Sequence, residues 1–532
     1  MPSCSLKPHT ANKYLYQFIK LKIINEVTCK MNFFKEMQLN EKSYTENGAK
    51  GYATTGSYLV DLNFKIPYLR TLAQDEDFPY EEFDLAYQEN PVYALKWLLF
   101  LRDIKQGCGE RSSFRKLFIH LANTKPTVFV KFIDCFMSAD YGRWDDLVEV
   151  YFKTINKDIK NHISILLQTQ LKIDWNTEHP SLMAKWLPSE SSANKETSRR
   201  AKLLAKDVFK CSNKQYRKTL ASLRKLVAKT EVLTSANKWS EIDYNTVPSK
   251  ANLKYGTAFM EHDADRRIKY LEDLKAGKSS AKINANSMFL YDIVRDYQRC
   301  DMINPTLEAL WEAQEKVEGF TNTLVVRDGS YSMCSGVLGN NLYASTIADS
   351  LTLYCAENNV GAYKNKFITF SAEPQCVEIP DSYNLYEKLK LLTKYTDWRD
   401  TNIEAVFDLI LKTAVEDNVS PDEMPESVLI ISDMEFNEAF DDSNESDTLF
   451  EIIRKKFDSA GYKLPRLVFW NVCSRTNTIP MRENENGLTL ISGFSKSLLQ
   501  IVIGKYTSPY EALIAQLSNP RYECVNILTT EM

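Results

Sequence analysis

The hydrophobic pattern of this 532-residue chain changes abruptly near residue 320. Between about Tyr80 and Tyr297 apolar residues recur at helical spacing, and no stretch alternates long enough to predict a sheet. After Asn322, short apolar runs alternate with amphipathic helices, and the runs are TLVVR (323–327), FITF (367–370), VLIIS (428–432), LVFWNV (467–472) and LTLI (488–491). Such continuous runs are typical of strands buried on both faces, so the second half is predicted to be α/β with a mostly parallel sheet.

The first half is predicted to be a stack of helical hairpins. The segment YALKWLLFL (93–101) is apolar nearly all round, as in a helix buried by its neighbours. A tight glycine turn at 107–109, another helix, Pro126 and a further helix are the order expected of a degenerate, HEAT-like α-helical repeat or solenoid. We predict a poorly ordered N-terminal extension at 1–40, a helical-repeat domain at 41–320 and an α/β domain with a C-terminal helix at 321–532.

Charge divides unevenly between these halves. The chain has 66 Lys+Arg, 70 Asp+Glu and a net charge of −4. Residues 1–320 carry 48 basic and 40 acidic residues (+8), whereas residues 321–532 carry 18 and 30 (−12). The composition is otherwise ordinary, which excludes collagen-like, low-complexity and wholly disordered classes. Two electrostatically different units therefore share one chain, and each is expected to bind something different.

The cysteine spacing and the apolar segments indicate in which cellular compartment the protein is expected. Eleven cysteines occur singly with no C-x-x-C pair, which indicates reduced thiols and a cytoplasmic location. No stretch reaches the roughly 18 apolar residues that a membrane span needs, so no membrane partner is expected. The apolar segment Tyr14–Asn25 is interrupted by Lys20 and Lys22, which favours an ordinary extension over a targeting signal. No histidine lies beyond His262, which excludes a Ser-His-Asp triad from the second half.

One segment of the first half is strongly basic. Lys195–Lys229 contains twelve basic residues against two acids, Glu196 and Asp207. Apolar residues are interleaved at near-helical spacing, so one face is expected to pack while another presents a basic strip. A solvated helix face and a polyanion-binding surface both fit this pattern.

Oxygen-bearing side chains follow several strands of the second half. Asp328, Ser330 and Ser332 form a D-x-S-x-S arrangement where the first strand ends, the edge at which open α/β sheets bind ligands. Thr401 precedes a later helix, and Asp433 follows the strand VLIIS. Carboxylates and hydroxyls suit magnesium or another divalent cation, so these five residues are predicted to form a metal site.

This spacing is similar to the metal-ion-dependent adhesion site (MIDAS) of von Willebrand factor A (vWA) domains, over roughly residues 320–505. The resemblance implies a Rossmann-like vWA domain whose five site residues hold Mg²⁺, some directly and some through water. Arg399 and Asp400 stand where small residues are frequent in that family, which puts the affinity for the metal in doubt but not the fold.

The first half resembles the helical-repeat (TROVE-like) module of Ro autoantigen-like proteins. The segments that carry the resemblance are QGCGERSSF (106–114), YGRWDDL (141–147), HPSLMAKWLP (179–188), YRKTLASLRKL (216–226) and WSEIDYNTVPSK (239–250). Together with residues 45–64 they are closer still to an uncharacterised domain-of-unknown-function family that joins such a module to a C-terminal vWA domain. In Ro proteins the repeats close into a ring that takes single-stranded RNA ends in a positive cavity, so a ring is the alternative to an open solenoid here.

The resemblance also implies which residues face RNA. They are Lys195, Arg199, Arg200, Lys202, Lys206, Lys210, Lys214, Arg217, Lys218, Arg224, Lys225, Arg111, Arg115, Lys116 and Lys250. Contacts of this kind would be salt-dependent and weakly sequence-specific.

Two functional hypotheses follow, and neither is an enzyme. The first is a Ro-like scaffold that binds single-stranded or misfolded small RNA and carries a magnesium-dependent docking site for a protein. The second is a protein-interaction adaptor whose metal site binds an acidic residue of a partner, without RNA. Basic residues that pair with local acids would favour the adaptor.

Overall fold

The computed structural model of the protein describes residues 42–45, 48, 50–138, 141–300, 302–335, 342–371, 373–396, 402–436, 449–473, 478–479 and 488–526. The predicted extension at 1–40 lies outside these residues. Helices precede residue 320 and a six-stranded sheet follows it, which confirms an α-helical region followed by an α/β region. Closure of the helices into a ring stays a prediction.

The first described residues form a short hairpin. The glycines and hydroxyl-bearing residues of 41–64 are typical of a loop, but β1 (Lys42–Tyr44) and β2 (Lys50–Tyr52) pair antiparallel within this segment. Gly48 lies in the connection at a φ of 89°, a conformation that glycine adopts without strain. Tyr52 exchanges two backbone hydrogen bonds with Ile479, at 2.8 and 2.9 Å. The segment at Ile479 therefore stabilises two strands that are too short to be predicted from the local sequence.

Sixteen α-helices occur among the described residues of the first half. They are α1 (Tyr58–Phe64), α2 (Ile66–Thr71), α3 (Tyr80–Glu89), α4 (Pro91–Arg102), α5 (Ser112–Thr124), α6 (Pro126–Ser138), α7 (Trp144–Lys153), α8 (Lys157–Trp175), α9 (Met183–Trp186), α10 (Lys195–Leu203), α11 (Asn213–Val227), α12 (Lys229–Ser235), α13 (Ser249–His262), α14 (Ala264–Lys275), α15 (Leu290–Tyr297) and α16 (Pro305–Glu312). Every residue of α4 from Ala94 to Arg102 is buried, as its all-round apolar sequence predicts.

The helix starts follow local capping chemistry. Asn90 accepts a hydrogen bond from the backbone N–H of Tyr93 at 3.1 Å, and Pro91 is the first residue of α4. Asn304 caps α16 in the same way, ahead of Pro305. These signals define where the chain reverses between helices.

The sheet of the second half has the strand order β5-β4-β3-β6-β7-β8. Its strands are β3 (Thr323–Asp328), β4 (Lys366–Phe370), β5 (Cys376–Glu378), β6 (Ser427–Ser432), β7 (Arg466–Asn471) and β8 (Leu488–Ser492). All neighbouring pairs are parallel except β4 and β5. The mostly parallel sheet is thus confirmed. Its helices are α17 (Ser332–Ser335), α18 (Ala344–Asn358), α19 (Leu385–Lys394), α20 (Ile403–Glu416), α21 (Leu449–Ser459), α22 (Leu499–Ile503) and α23 (Pro509–Leu517).

The two halves share one hydrophobic core, which extends from α1 to the last described residues. Polar contacts reinforce it: buried Asp103 of the first half pairs with Arg521 at 2.8 Å and accepts a hydrogen bond from Tyr522 at 3.0 Å. A smaller core lies under α13 and α14. Within the described ranges, no helix is long and apolar enough to cross a membrane.

Candidate metal site and basic surface

The carboxylate of Asp328 lies at the carboxyl end of β3 and is 1% exposed. Its Oδ1 accepts a hydrogen bond from the backbone N–H of Ser330 at 2.9 Å, and its Oδ2 accepts one from the hydroxyl of Ser432 at 2.6 Å. Ser432 ends the neighbouring strand β6, whose parallel register with β3 brings the two strand ends together. Asp328 is therefore held in one orientation from two strands.

The two predicted serines present their hydroxyls side by side. The Oγ atoms of Ser330 and Ser332 lie 2.8 Å apart, just past the end of β3 and at the start of α17. Two oxygens bound to Mg²⁺ at about 2.1 Å in adjacent octahedral positions lie about 3 Å apart. The hydroxyl pair therefore fits adjacent ligand positions of such a cation.

Asp433 directly follows β6 and is buried, and its Oδ1 accepts a hydrogen bond from the backbone N–H of Glu435 at 3.2 Å. Thr401, the fifth predicted residue, lies outside the described residues. Sequence reasoning missed Ser432, although its place at the end of VLIIS, one residue before Asp433, was a usable signal. Among described residues, no group of three or more His, Cys, Asp or Glu could hold a metal ion. The hydroxyls would have to supply the remaining ligands.

Burial and hydrogen bonding act in opposite directions on the carboxyl group of Asp328. Burial raises the pKa of this carboxyl group, while hydrogen bonds from Ser432 and Ser330 and the charge of Arg327 act in the opposite direction. Arg327 itself is directed elsewhere, since its Nε donates to Asp349 at 2.7 Å and its Nη2 donates to Thr396 at 3.1 Å. The described part of the chain therefore provides a desolvated carboxylate and oxygen donors, which is the ligand chemistry of Mg²⁺.

The first half of the chain covers the carboxyl ends of β7 and β8 at this edge of the sheet. The carbonyl oxygen of Phe64, at the end of α1, accepts hydrogen bonds from Asn471 at 3.1 Å and from Ser492 at 2.7 Å. These residues end β7 and β8. The ends of β7 and β8 are thus occupied by contacts with the first half, whereas the predicted metal ligands lie at the ends of β3 and β6.

The basic segment folds into α10, a π-helical turn at Leu204–Val208, and α11. Tyr216, Leu220 and Leu223 form the buried face of α11. Seven candidate lysines are exposed and make no ion pair or hydrogen bond with any other described side chain. They are Lys195, Lys202, Lys206, Lys210, Lys214, Lys218 and Lys225, and we call them the lysine surface.

The candidate arginines behave differently. Arg199 forms a two-point contact with Glu196 at 2.7 Å, and Arg200 pairs with Glu196 at 2.9 Å and with Glu149 at 2.6 Å. Arg217 pairs with Glu190 at 2.9 Å. These charges are locally neutralised, so the lysines carry most of the net positive charge of the segment.

Arg224 is an exception among these arginines. It donates to the carbonyl oxygens of Ala184 and Leu187 and to the hydroxyl of Ser189, at 2.7 to 2.8 Å, and it pairs with no described carboxylate. It lines a cleft of about 330 Å³ together with Lys225. Burial lowers its pKa. The cleft therefore adds an uncompensated positive charge beside the lysine surface.

The four candidates outside this segment lie in other parts of the helical region. Arg115 pairs with Asp145 and Asp146 at 2.7 and 2.6 Å. Lys116 donates to the carbonyl oxygen of Asp75 at 2.7 Å, and Lys250 pairs with Asp292 at 2.8 Å. Arg111 is exposed as a whole residue, but its guanidinium is partly desolvated, and this desolvation together with the charges of Arg143 and Arg115 lowers its pKa. Of these four, Arg111 and Lys116 have no ion-pair partner among the described residues.

Comparison with known proteins places the chain in a family. Two overlapping segments, residues 45–202 and 166–327, match the family described as Domain of unknown function (DUF2828), and together they span more than half of the chain. The chain belongs to this family. Residues 322–518 match a second family, described as Domain of unknown function (DUF7788).

Two individual proteins also resemble this family member. An uncharacterized protein of Acanthamoeba polyphaga mimivirus is 31% identical over 504 residues, which cover 87% of this chain and 84% of the viral protein. The crystal structure of the Deinococcus radiodurans Ro (RSR) protein is similar over 85% of this chain and 93% of that chain, with 12% identity and a TM-score of 0.33. That score is too low to assign a fold or a function.

Proposed function

We propose that this protein is a non-enzymatic scaffold that binds single-stranded or misfolded small RNA on its helical half, in the manner of a TROVE-like module. Its α/β half would act as a vWA domain with a magnesium-dependent docking site for a protein partner. The observation that carries the RNA proposal is the lysine surface, seven exposed ammonium groups that make no ion pair with the described acids.

Unpaired lysines suit a flexible polyanion. An ammonium group contacts phosphate as a point charge and releases condensed counterions, so the contact requires no particular base sequence. The paired arginines gain less from phosphate, because each would first have to leave its carboxylate. Arg224 adds a positive charge that neutral groups already orient, and it stands beside Lys225 in the 330 Å³ cleft.

The docking half of the proposal rests on Asp328, Ser330 and Ser332, with Thr401 and Asp433 as the further predicted ligands. A bound Mg²⁺ would supply a positive centre that accepts an oxygen of an acidic partner side chain. The residues themselves would orient that centre, since the hydrogen bonds from Ser330 and Ser432 hold the Asp328 carboxylate in one direction.

A salt titration tests the RNA proposal. The full chain is purified with nuclease treatment, and its affinity for a single-stranded RNA is measured from 50 to 200 mM salt. Binding at low salt that weakens steeply with added salt is expected. Salt-insensitive binding, or no binding at 50 mM salt, would contradict the proposal.

The second candidate is an adaptor that uses the metal site without RNA. Its support is the pairing of Arg199, Arg200 and Arg217 with local acids, which is expected where a basic strip is only a solvated face. Magnesium-dependent capture of an acidic peptide by a protein that does not bind RNA would favour this candidate.

A further inference from the structure

The cleft of about 330 Å³ beside the lysine surface is lined by α11, by α12 and by the segment that follows α9. The two helices contribute mostly apolar and aromatic side chains, which are Tyr216, Leu220, Ala221 and Val232. The segment after α9 contributes polar ones, which are Ser189, Glu190 and Ser191. Small-molecule sites commonly have volumes of about 300–1,000 Å³, so this cleft has room for one small group and not for a polymer.

The segment that follows α9 is fixed to both α10 and α11. The Tyr216 hydroxyl of α11 donates to the carbonyl oxygen of Pro188 at 3.0 Å, and Arg217 pairs with Glu190 at 2.9 Å. The Ser198 hydroxyl of α10 donates to the carbonyl oxygen of Glu190 at 2.7 Å. The cleft is therefore formed before a ligand binds, which lowers the entropic cost of binding.

Arg224 brings to this cleft a guanidinium that is oriented by neutral groups. Its Nε and Nη2 donate to the carbonyl oxygens of Ala184 and Leu187 at 2.8 Å. Its Nη1 donates to the Ser189 hydroxyl at 2.7 Å. A guanidinium has five N–H donors, so two remain beyond those that the described residues accept. Unstacked bases pack on guanidinium planes and accept hydrogen bonds at their edges, so the cleft combines the apolar and polar contacts that a base requires.

Three lysines of the lysine surface follow one side of the cleft. An α-helix turns by about 100° per residue, so Lys214, Lys218 and Lys225 lie within about 40° of one another on α11. Ala221 lies on the adjoining stripe of the helix, and both Ala221 and Lys225 line the cleft. At 1.5 Å per residue the three lysines extend over about 17 Å of the helix. A single strand whose phosphates contact these lysines would therefore have its bases beside the cleft.

We propose that the cleft binds one unstacked base of the single-stranded RNA while the neighbouring phosphates contact Lys214, Lys218 and Lys225. This base-binding site rests on the proposed RNA-binding function and adds a selection for single strands to it. The base would pack on the apolar side chains of α11 and α12 and would face the guanidinium of Arg224. A base inside a duplex is paired and stacked, so double-stranded RNA could not use the cleft. Stacking accepts every base, so the sequence preference would be weak.

Filling the cleft without a change of charge tests the proposal. Ala221 is exposed and lines the cleft, so the ring of Ala221→Phe should occupy it. Ser191→Phe, at another exposed position of the lining, should act in the same way. The matched control Ser222→Phe adds a ring at an exposed position of the same helix, on the side of the lysines away from the cleft. The affinity of the full chain is measured by fluorescence anisotropy for a single-stranded RNA and for a strand of equal length with abasic residues throughout.

We expect Ala221→Phe to weaken the binding of the RNA by about fivefold or more, which is the effect of losing one base contact, with no change in its salt dependence. Binding of the abasic strand should stay unchanged, which also shows that the variant is folded, and Ser222→Phe should bind both strands as the unsubstituted chain does. An unchanged affinity of Ala221→Phe for the RNA, or equal losses for both strands with an unchanged circular dichroism spectrum, would overturn the base-binding site alone. Failure of the unsubstituted chain to bind either strand would instead refute the proposed function, and the base-binding site with it.

Discussion

Removing three lysines of α11 should change the salt dependence of RNA binding by a calculable amount. Lys214, Lys218 and Lys225 are exposed and belong to the lysine surface. Glutamine at these positions removes charge and keeps both side-chain length and helix propensity nearly constant. The triple variant Lys214→Gln, Lys218→Gln, Lys225→Gln therefore tests charge without an expected loss of folding.

The magnitude follows from the number of phosphate contacts. Each contact to a single strand contributes about −0.7 to the slope of log K against log salt. If all seven lysines contact phosphate, the slope is about −5, and the affinity falls about 1,000-fold between 50 and 200 mM salt. With four lysines left, the slope is about −3 and the affinity falls about 50-fold.

The assay is fluorescence anisotropy of a labelled single-stranded RNA at four or more salt concentrations. The matched control replaces three exposed lysines of the α/β half, Lys364, Lys390 and Lys394, with glutamine. The control should keep the original slope. A triple α11 variant with an unchanged slope, or a control that changes as much, would refute the assignment of the lysine surface.

Three further predictions concern the metal site and the stability of the fold. Magnesium at 100 times its dissociation constant should stabilise the protein by about 2.7 kcal/mol, and a thermal-shift assay should show that Asp328→Ala removes this effect whereas the exposed control Glu373→Ala keeps it. An equal shift in Asp328→Ala would mean that the metal, if bound, is held elsewhere. Asp103→Asn breaks the buried pair with Arg521 and should lower the free energy of unfolding by about 3–5 kcal/mol in a urea titration, and a loss under 1 kcal/mol would contradict the role of this pair. Burial alone would raise the pKa of Asp146, but its two arginine partners hold this pKa below that of a free aspartate. The stability from this group is therefore present above the ordinary pKa of aspartate and is lost as the pH falls through the lower folded pKa. Urea titrations below pH 4 should therefore show a shallower loss of stability for Asp146→Asn than for the unsubstituted chain, and parallel curves would contradict this.

The sheet was predictable because a parallel strand that is buried on both faces consists mainly of consecutive apolar residues. Every residue of β3 and of β6 is buried, and the middle of each strand appears in the sequence as an uninterrupted apolar run, LVV (324–326) and VLII (428–431). The edge strand β5 was not predicted, since it has three residues and only Val377 is buried. The hairpin of β1 and β2 was missed for a related reason: its pairing partner, Ile479, lies in the other half of the chain.

The candidate sites could be predicted only in part. The D-x-S-x-S pattern identified Asp328 and the two serines, but the contact from Ser432 depends on the pairing of β3 with β6, which no local pattern encodes. The basic segment could not be divided into paired and unpaired charges from the sequence. Arg200 pairs with Glu149 as well as with Glu196, and Arg217 pairs with Glu190; Glu149 and Glu190 come from outside the segment.

The most direct test of the central claim is to locate the RNA on the protein. Single-stranded RNA is cross-linked by ultraviolet light to the nuclease-treated full chain, and the cross-linked peptides are identified by mass spectrometry. The proposed function predicts cross-links within residues 195–227, on α10, the π-helical turn and α11. Cross-links confined to residues 321–532, or none under conditions where a known RNA-binding control is labelled, would contradict it.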